Sequence, residues 1–153
     1  MMEWKNTADV VIIGGGIIGV STAYYLAQNG MKNIVLIEKG TICGGSTGRC
    51  GAGIRAQWGT EMNCRLGIAA LDIFEQLDQD LGMSVGLNQG GYLLVAYSEK
   101  ELDTLRKGME LQNSLGIKSR QITLREAREI CPGLAADDAV GFFFHGRDGH
   151  ADP

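Results

Sequence analysis

The sequence is poor in the residues that build metal centres and disulfide frameworks. Its 153 residues include two histidines and four cysteines, and no two cysteines follow the Cys-x-x-Cys spacing. We therefore expect no metal site, and unpaired thiols are typical of the reducing cytoplasm, where we expect the protein to work. We expect neither a spanning helix nor a signal peptide, because no apolar run reaches about 18 residues and no basic segment precedes a short apolar one.

Strong charge and internal repetition are also lacking. The formal net charge is −4, and no charged tract or repeat is present. This composition gives no reason to expect nucleic acid or an anionic membrane surface as a partner. The hydrophobic content of 44% and the charged content of 21% are ordinary for a globular protein of this length.

Glycine, by contrast, is abundant and concentrated in one region. The chain has 23 glycines, about twice the usual share of ~7%, and twelve of them fall between Gly14 and Gly59. Glycine is used where a backbone must turn sharply or approach a ligand closely. The enrichment therefore predicts a ligand site in the first third of the chain.

Residues 9–38 have the order of a dinucleotide-binding unit. An apolar strand at residues 10–13 is followed by the glycine cluster GGGIIG at 14–19 and a helical pattern at 20–28. A second apolar strand at 34–37 ends on Glu38. A Gly-x-Gly-x-x-Gly match is weak alone, but it is strong between a strand and a helix with an acid about 20 residues further on.

Each part of this unit has a physical role. Gly14 allows the sharp turn out of the strand, Gly16 allows close approach to a pyrophosphate, and Gly19 allows the helix to pack on the strands. The amino end of the helix offers free N–H groups to the phosphate. Glu38 is expected to accept hydrogen bonds from ribose hydroxyls and to repel a 2′-phosphate, which disfavours NADP. The alternative is a glycine-rich turn with a solvated glutamate after it.

Residues 39–55 are rich in glycine and show no usable periodicity. Such a stretch is either a flexible linker or a loop shaped around a ligand. We favour the loop, because a linker has no need of Ile42, Ile54 and Trp58 or of the two arginines, Arg49 and Arg55.

The remainder of the chain alternates helices and strands. A helix is predicted from an N-cap at Thr60 to Leu81, and a second helix from an N-cap at Ser98 to Gly116. A short helix opens at Thr123 with a capping-box pattern. Strands are predicted at residues 90–97, 117–123 and 140–144. Two parallel strands are too few for a doubly wound sheet, and the sequence stops at residues 149–153 without a cap or polar tail, so we expect an N-terminal piece of a longer protein.

Taken together, these motifs resemble the FAD-dependent D-amino acid oxidase superfamily. The likeness lies in the dinucleotide motif and in residues 44–49, 51–55, 90–93 and 148–153, and it is greatest to the β subunit of heterotetrameric sarcosine oxidase. The resemblance implies an α/β fold, with a partial Rossmann-like FAD-binding domain and the start of an interleaved antiparallel substrate domain. It implies FAD-binding parts at residues 1–84 and 139–153, and a substrate-binding part at 85–138.

The resemblance also implies a cofactor site. Ser46 and Thr47 resemble a hydroxyl pair beside the pyrophosphate, and Arg49 with residues 51–54 resembles the segment along the isoalloxazine ring, where a cation stabilises the reduced flavin. For Arg49 the alternative is a surface cation paired with a nearby acid; for Arg55 a functional and a structural role stay equally open. The predicted FAD-binding residues are Gly14, Gly16, Ile17, Ile18, Gly19, Glu38, Lys39, Gly45, Ser46, Thr47, Arg49, Cys50, Gly51, Ala52, Gly53 and Ile54.

The activity that the resemblance implies is oxidation of the C–N bond of a small amino or N-methylamino acid, such as sarcosine, glycine or proline. Further subunits of a hetero-oligomeric oxidase are possible partners. Catalytic residues are not assigned, and His145 and His150 are expected to be surface or turn histidines rather than the attachment point of a second, covalent flavin. The alternatives are an NAD-binding dehydrogenase or redox-sensing module, and a flavin-binding subunit without catalysis.

Overall fold

The computed structural model describes residues 7–152. Internal packing divides the chain into two compact units, and each is described by itself. Among the described residues, the first unit comprises residues 7–51 and the second unit Ala52–Asp152. In the part of the chain that the structure describes, no helix is long and apolar enough to cross a membrane.

The first unit contains the predicted strand–helix–strand motif. Strand β1 (Val10–Ile13), helix α1 (Ile17–Gln28) and strand β2 (Ile34–Ile37) follow one another, and the two strands pair in parallel. The helix begins three residues earlier than predicted, because the carbonyl of Gly16 already accepts the Val20 N–H at 3.0 Å. It ends at Asn29 as predicted.

The two faces of this parallel pair of strands differ in exposure. Along each strand, half-buried residues alternate with exposed ones. The exposed residues are apolar, and they are Val11, Ile13, Val35 and Ile37. Period-two alternation of this kind means that one face of the sheet is left open within the described residues.

The second unit is built around an antiparallel sheet. Its elements in chain order are β3 (Gly53–Ile54), α2 (Glu61–Leu81), β4 (Tyr92–Ala96), α3 (Glu99–Ser114), β5 (Arg120–Ile122), α4 (Leu124–Ile130), β6 (Gly141–His145) and β7 (Gly149–His150). The three longer strands form a sheet in the order β4-β6-β5, and β3 pairs with β7. The two short strands β3 and β7 lie outside the strands that the sequence predicts.

Helix ends in the second unit follow the capping predictions with one exception. The Ser98 hydroxyl accepts the Glu101 N–H, and Thr123 and Glu126 form a complete capping box. Gly82 ends α2 with a φ of 66°. Thr60 does occupy the N-cap position of α2, but its side chain makes no capping hydrogen bond.

Three buried clusters form the interior of the second unit. Ala56, Cys64, Leu71 and Ile117 pack together where α2 meets the segments around it. The other two clusters lie against the antiparallel sheet; one contains Ile122, Ala127, Ala136 and Phe142, and the other contains Ala96, Leu102 and Phe143. The neighbours Phe142 and Phe143 serve different clusters because successive side chains of a strand point to opposite faces.

The predicted domain boundaries concern the whole protein and stay a prediction. Within the described residues, β6 pairs with β4 and β5, so the segment expected to return to the FAD-binding domain shares a sheet with the predicted substrate-domain strands.

Candidate cofactor site

The turn after β1 has the backbone geometry that a dinucleotide site needs. Gly14 has a φ of 107°, which favours glycine, and its N–H donates to the Ile37 carbonyl at 2.8 Å. A Cβ at Gly19 would lie 1.9 Å from the Gly14 carbonyl oxygen and 3.3 Å from Ile12 Cγ2. The close packing of helix on strand that the sequence predicts at Gly19 is therefore present.

Glu38 closes this turn through the backbone. One carboxylate oxygen accepts the Gly15 N–H at 2.8 Å, and the other accepts the Gly40 N–H at 2.7 Å. These bonds, the one from Gly15 first, hold the pKa of Glu38 below its ordinary value. Each oxygen keeps a further lone pair, so the carboxylate lies at the glycine turn with acceptor capacity left. Its contact with a ribose stays a prediction.

The amino end of α1 receives a hydroxyl from the loop that follows β2. The Ile17 N–H donates to Thr47 Oγ1 at 3.0 Å, and a Cβ on Gly16 would lie 3.2 Å from the same oxygen. The first amides of a helix have no partner within the helix. The amides at the amino end of α1 and the Thr47 hydroxyl are groups that can donate hydrogen bonds to a diphosphate, and the small Gly16 leaves room beside them. These residues therefore fit the diphosphate part of FAD.

The loop after Glu38 is packed onto the glycine turn. The Cys43 N–H donates to the Gly15 carbonyl at 2.9 Å, and the Gly48 N–H donates to the Cys43 carbonyl at 2.8 Å. A Cβ on Gly15 would lie 2.6 Å from Ile42 Cδ1. These fixed contacts favour the ligand-shaped loop over the linker, and Cys43 adopts a φ of 57° to make the turn.

Several predicted site residues in the first unit have exposed side chains or backbone. They are Ile17, Ile18, Lys39, Gly45, Ser46, Arg49, Cys50 and Gly51. No carboxylate among residues 7–152 forms an ion pair with Arg49. The alternative of a surface cation held by a neighbouring acid therefore has no support, and a role of Arg49 toward the flavin stays a prediction.

The predicted residues Ala52, Gly53 and Ile54 belong to the second unit. Gly53 and Ile54 form β3, in register with His150 and Gly149. A Cβ on Gly53 would lie 2.2 Å from the Tyr92 hydroxyl oxygen. Ala52 has a φ of 45°, a region that residues other than glycine enter at a cost and that is frequent at functional sites.

Arg55, which the sequence analysis leaves open, is held in place by aromatic rings. Its guanidinium lies 3.9 Å from the centroid of the Trp58 ring and 5.7 Å from that of Tyr92. The Trp58 indole N–H donates to the Arg55 carbonyl at 2.8 Å. No carboxylate of the described part of the chain pairs with this arginine, and it lines a cavity of about 360 Å³. It is a cation that stacks on an aromatic ring beside a cavity.

The two histidines differ from one another. His150 is exposed, as expected. The expectation that His145 lies at the surface is wrong: it is 4% exposed, and its Nδ1 lies 2.8 Å from Asp148 Oδ1. The sequence gives little signal for this burial, since His145 follows an apolar strand at the point where a turn is expected. Among the residues described, no group of three His, Cys, Asp or Glu side chains is placed to hold a metal ion.

Comparisons with known proteins agree with this geometry. The family model of FAD dependent oxidoreductases matches residues 9–153. Dimethylglycine dehydrogenase of Rattus norvegicus is 33% identical over 152 residues, which cover 99% of this chain and 18% of the relative. Sarcosine oxidase subunit beta of Rhodobacter capsulatus is 34% identical over 133 residues, covering 86% of this chain and 32% of that subunit.

A solved structure shares the fold over nearly the whole chain. L-proline dehydrogenase from P.horikoshii superposes with a TM-score of 0.91 at 36% identity, covering 98% of this chain and 39% of that one. The chain belongs to the family of FAD-dependent oxidoreductases. The predicted family, the α/β class with a Rossmann-like FAD-binding part and the cofactor FAD are thereby confirmed. The chain spans between about a fifth and two fifths of the length of these three relatives.

Proposed function

We propose that the protein oxidises the C–N bond of a small amino or N-methylamino acid, with FAD as the electron acceptor. The observation that carries the proposal is the glycine turn closed by Glu38 in a chain of this family. FAD, when bound, supplies the two-electron acceptor chemistry. The substrate would lose two electrons and two protons across its C–N bond, and water would hydrolyse the resulting imine.

The first unit supplies the groups that would hold the dinucleotide. The amides of the first turn of α1, with Gly16 and the hydroxyls of Ser46 and Thr47, would hold the diphosphate, since a helix amino end favours an anion. Glu38 would accept from the adenosine ribose. These roles are supported by the hydrogen bonds that already join the loop, the turn and Glu38.

Arg55 is our candidate for recognition of the substrate carboxylate. Amino and N-methylamino acids carry a carboxylate, and the planar guanidinium matches that group in two parallel hydrogen bonds. The support is its stacking on Trp58 beside a cavity, without a carboxylate partner among residues 7–152.

The relatives support a substrate class and further subunits, and the cysteines support a cellular location. Relatives named for dimethylglycine, sarcosine and proline favour a small, N-substituted glycine-like acid. Assembly with other subunits is favoured by the likeness to a sarcosine oxidase subunit. A reducing cytoplasm is favoured by the free thiols of Cys43, Cys64 and Cys131.

The test is substrate-dependent loss of the oxidised-flavin absorbance in the complete protein without oxygen. We expect sarcosine, dimethylglycine, glycine or L-proline to bleach it, and the substrate's uncharged amide to fail. Flavin that none of these acids reduces would indicate the non-catalytic flavin-binding subunit. A purified protein that binds NAD and carries no flavin would indicate the dehydrogenase module and overturn the proposal.

The role of Arg55 is tested by replacing its charge. Arg55→Met is expected to raise KM for the acid about 10- to 100-fold, as for loss of a charge-assisted hydrogen-bond pair, and to change little the Kd of the unreactive amide, measured as a competitor. Lys107→Met, a change of an exposed cation on α3, is the matched control and should leave both values unchanged.

A further inference from the structure

The segment from Arg55 to Trp58 is fixed by buried side chains from three other parts of the second unit. The Trp58 carbonyl accepts from Gln112 Nε2 at 3.0 Å and from Cys64 Sγ at 3.2 Å. The Ala56 N–H donates to Asp148 Oδ1 at 2.8 Å. Gln112, Cys64 and Asp148 are all buried. The backbone on both sides of the Arg55–Trp58 stack is therefore tied to the interior.

Helix α2 packs directly against the same segment. A Cβ on Gly67 would lie 2.8 Å from both Ala56 Cα and the Arg55 carbonyl oxygen, and 3.3 Å from Trp58 Cδ1. The segment therefore has no free space on that side, and small movements of its backbone are opposed by packing.

Asp148 is the unusual member of this set. Its side chain is fully buried. Its Oδ1 accepts the Ala56 N–H and also lies 2.8 Å from His145 Nδ1. Its Oδ2 has no hydrogen-bond partner among the described residues. Burying a carboxylate with so few partners is costly. Among the described residues, the backbone group that hydrogen-bonds to this side chain is the Ala56 N–H, 92 positions away.

The position of Ala56 determines where the guanidinium of Arg55 lies. Arg55 precedes Ala56 directly, and its carbonyl is joined to the Trp58 ring by the indole hydrogen bond. The same ring carries the guanidinium at 3.9 Å. A shift at Ala56 would therefore move both the arginine and the ring on which it stacks.

We propose that Asp148 is a positioning residue, which acts through the Ala56 N–H to hold the Arg55 guanidinium in place for the substrate carboxylate. His145 orients Asp148 through the contact of its Nδ1 with Oδ1 at 2.8 Å. This inference rests on the proposed role of Arg55. Asp148 itself contacts no substrate, and the chemistry of the reaction does not pass through it.

The test compares Asp148→Asn in the complete flavin-loaded protein with and without Arg55→Met. Alone, Asp148→Asn replaces the carboxyl that accepts the Ala56 N–H, and it should raise KM for the acid, and Kd for acetate as a probe, about tenfold. We expect kcat to change less than about twofold and the flavin content to stay unchanged. In the Arg55→Met protein the same change should raise neither KM nor Kd further, since coupled residues are not additive.

Two companion variants make the outcome independent of folding. His145→Leu removes the contact with Asp148 and leaves the carboxylate; it should raise both constants about threefold, again only when Arg55 is present. Ser119→Ala removes a buried hydroxyl that has no hydrogen-bond partner in the described chain and should change neither constant. With Trp4 replaced by Phe, Trp58 is the only tryptophan, and its fluorescence should change in Asp148→Asn and stay constant in Ser119→Ala.

The inference is overturned if folded Asp148→Asn leaves both constants unchanged, or if it raises them equally with and without Arg55. Failure of the proposed function looks different: Arg55→Met alone would then leave KM for the acid and the affinity for acetate unchanged.

Discussion

The two units of the chain are stabilised in different ways. Between residues 7 and 51, only Gly15 is buried, and the site is held by backbone hydrogen bonds such as those to Glu38 and Thr47. The second unit has three buried clusters and an antiparallel sheet. The comparison teaches that a dinucleotide motif is defined by backbone conformation and close approach, whereas the second unit depends on buried apolar volume.

Removing one large core side chain tests the second unit most severely. Phe143 is 1% exposed, so Phe143→Ala should lower the free energy of unfolding by about 3–5 kcal/mol. Ile13→Ala is the matched change on a strand of the first unit; Ile13 is 88% exposed, and a cost within about 0.5 kcal/mol is expected. Chemical denaturation measures both. Equal costs would contradict the contrast between the units.

A methyl group at Gly19 tests the backbone geometry of the first unit. Gly19→Ala places a carbon against the Gly14 carbonyl, where neither backbone can move freely. We expect a cost of about 1–3 kcal/mol for overpacking, and loss of bound FAD after purification, read as the flavin-to-protein ratio. Gly59→Ala, which meets no atom within 4 Å, should keep the flavin. Retention of flavin by Gly19→Ala would show that the turn has room to relax.

Relief of backbone strain should change the free energy of unfolding by a smaller amount and in the stabilising direction. Ala52 has a φ of 45°, so Ala52→Gly should raise the free energy of unfolding by up to about 1 kcal/mol, the relieved strain exceeding the entropy that glycine adds to the unfolded chain. Ala69→Gly, at an exposed position within α2, should instead lower it by about 1 kcal/mol. Thermal denaturation measures both changes, and an Ala52→Gly protein no more stable than the unsubstituted one would contradict the prediction.

The smallest expected effect is a dependence of flavin retention on pH. Because the pKa of Glu38 is lowered in the folded state, its stabilising contribution is fully present above its ordinary pKa of 4.5. That contribution is lost as the pH falls through the lowered value. Flavin retention should therefore decline over this acid range, and Glu38→Gln should flatten the decline.

A glutamate of the second unit provides the control for this pH effect. The pKa of Glu126 is also lowered, mainly by the Thr123 backbone N–H, within the capping box of α4. Glu126→Gln should alter the acid stability of the second unit and leave the pH profile of flavin retention unchanged. A flattened flavin profile in Glu126→Gln would mean that the profile reports unfolding rather than Glu38.

Local patterns were sufficient for most of the elements. The strand–glycine–helix–strand order, the acid at residue 38 and the capping box at Thr123 all depend on residues close in sequence, so periodicity and spacing predict them. The start of α1 is an exception: the pattern predicts it three residues too late, because Gly19 lies inside the first helical turn rather than before it.

The sequence by itself determined the dinucleotide-binding motif, the α/β class and the placement of the main helices and strands, because glycine conformation, capping and hydrophobic periodicity act over a few residues. Only the tertiary structure decided that Thr47 reaches the first amide of α1, that β3 pairs with β7 and that Asp148 holds Ala56. These contacts join residues 30 to 97 positions apart. No local preference specifies such a partner, since it is selected only when the chain packs.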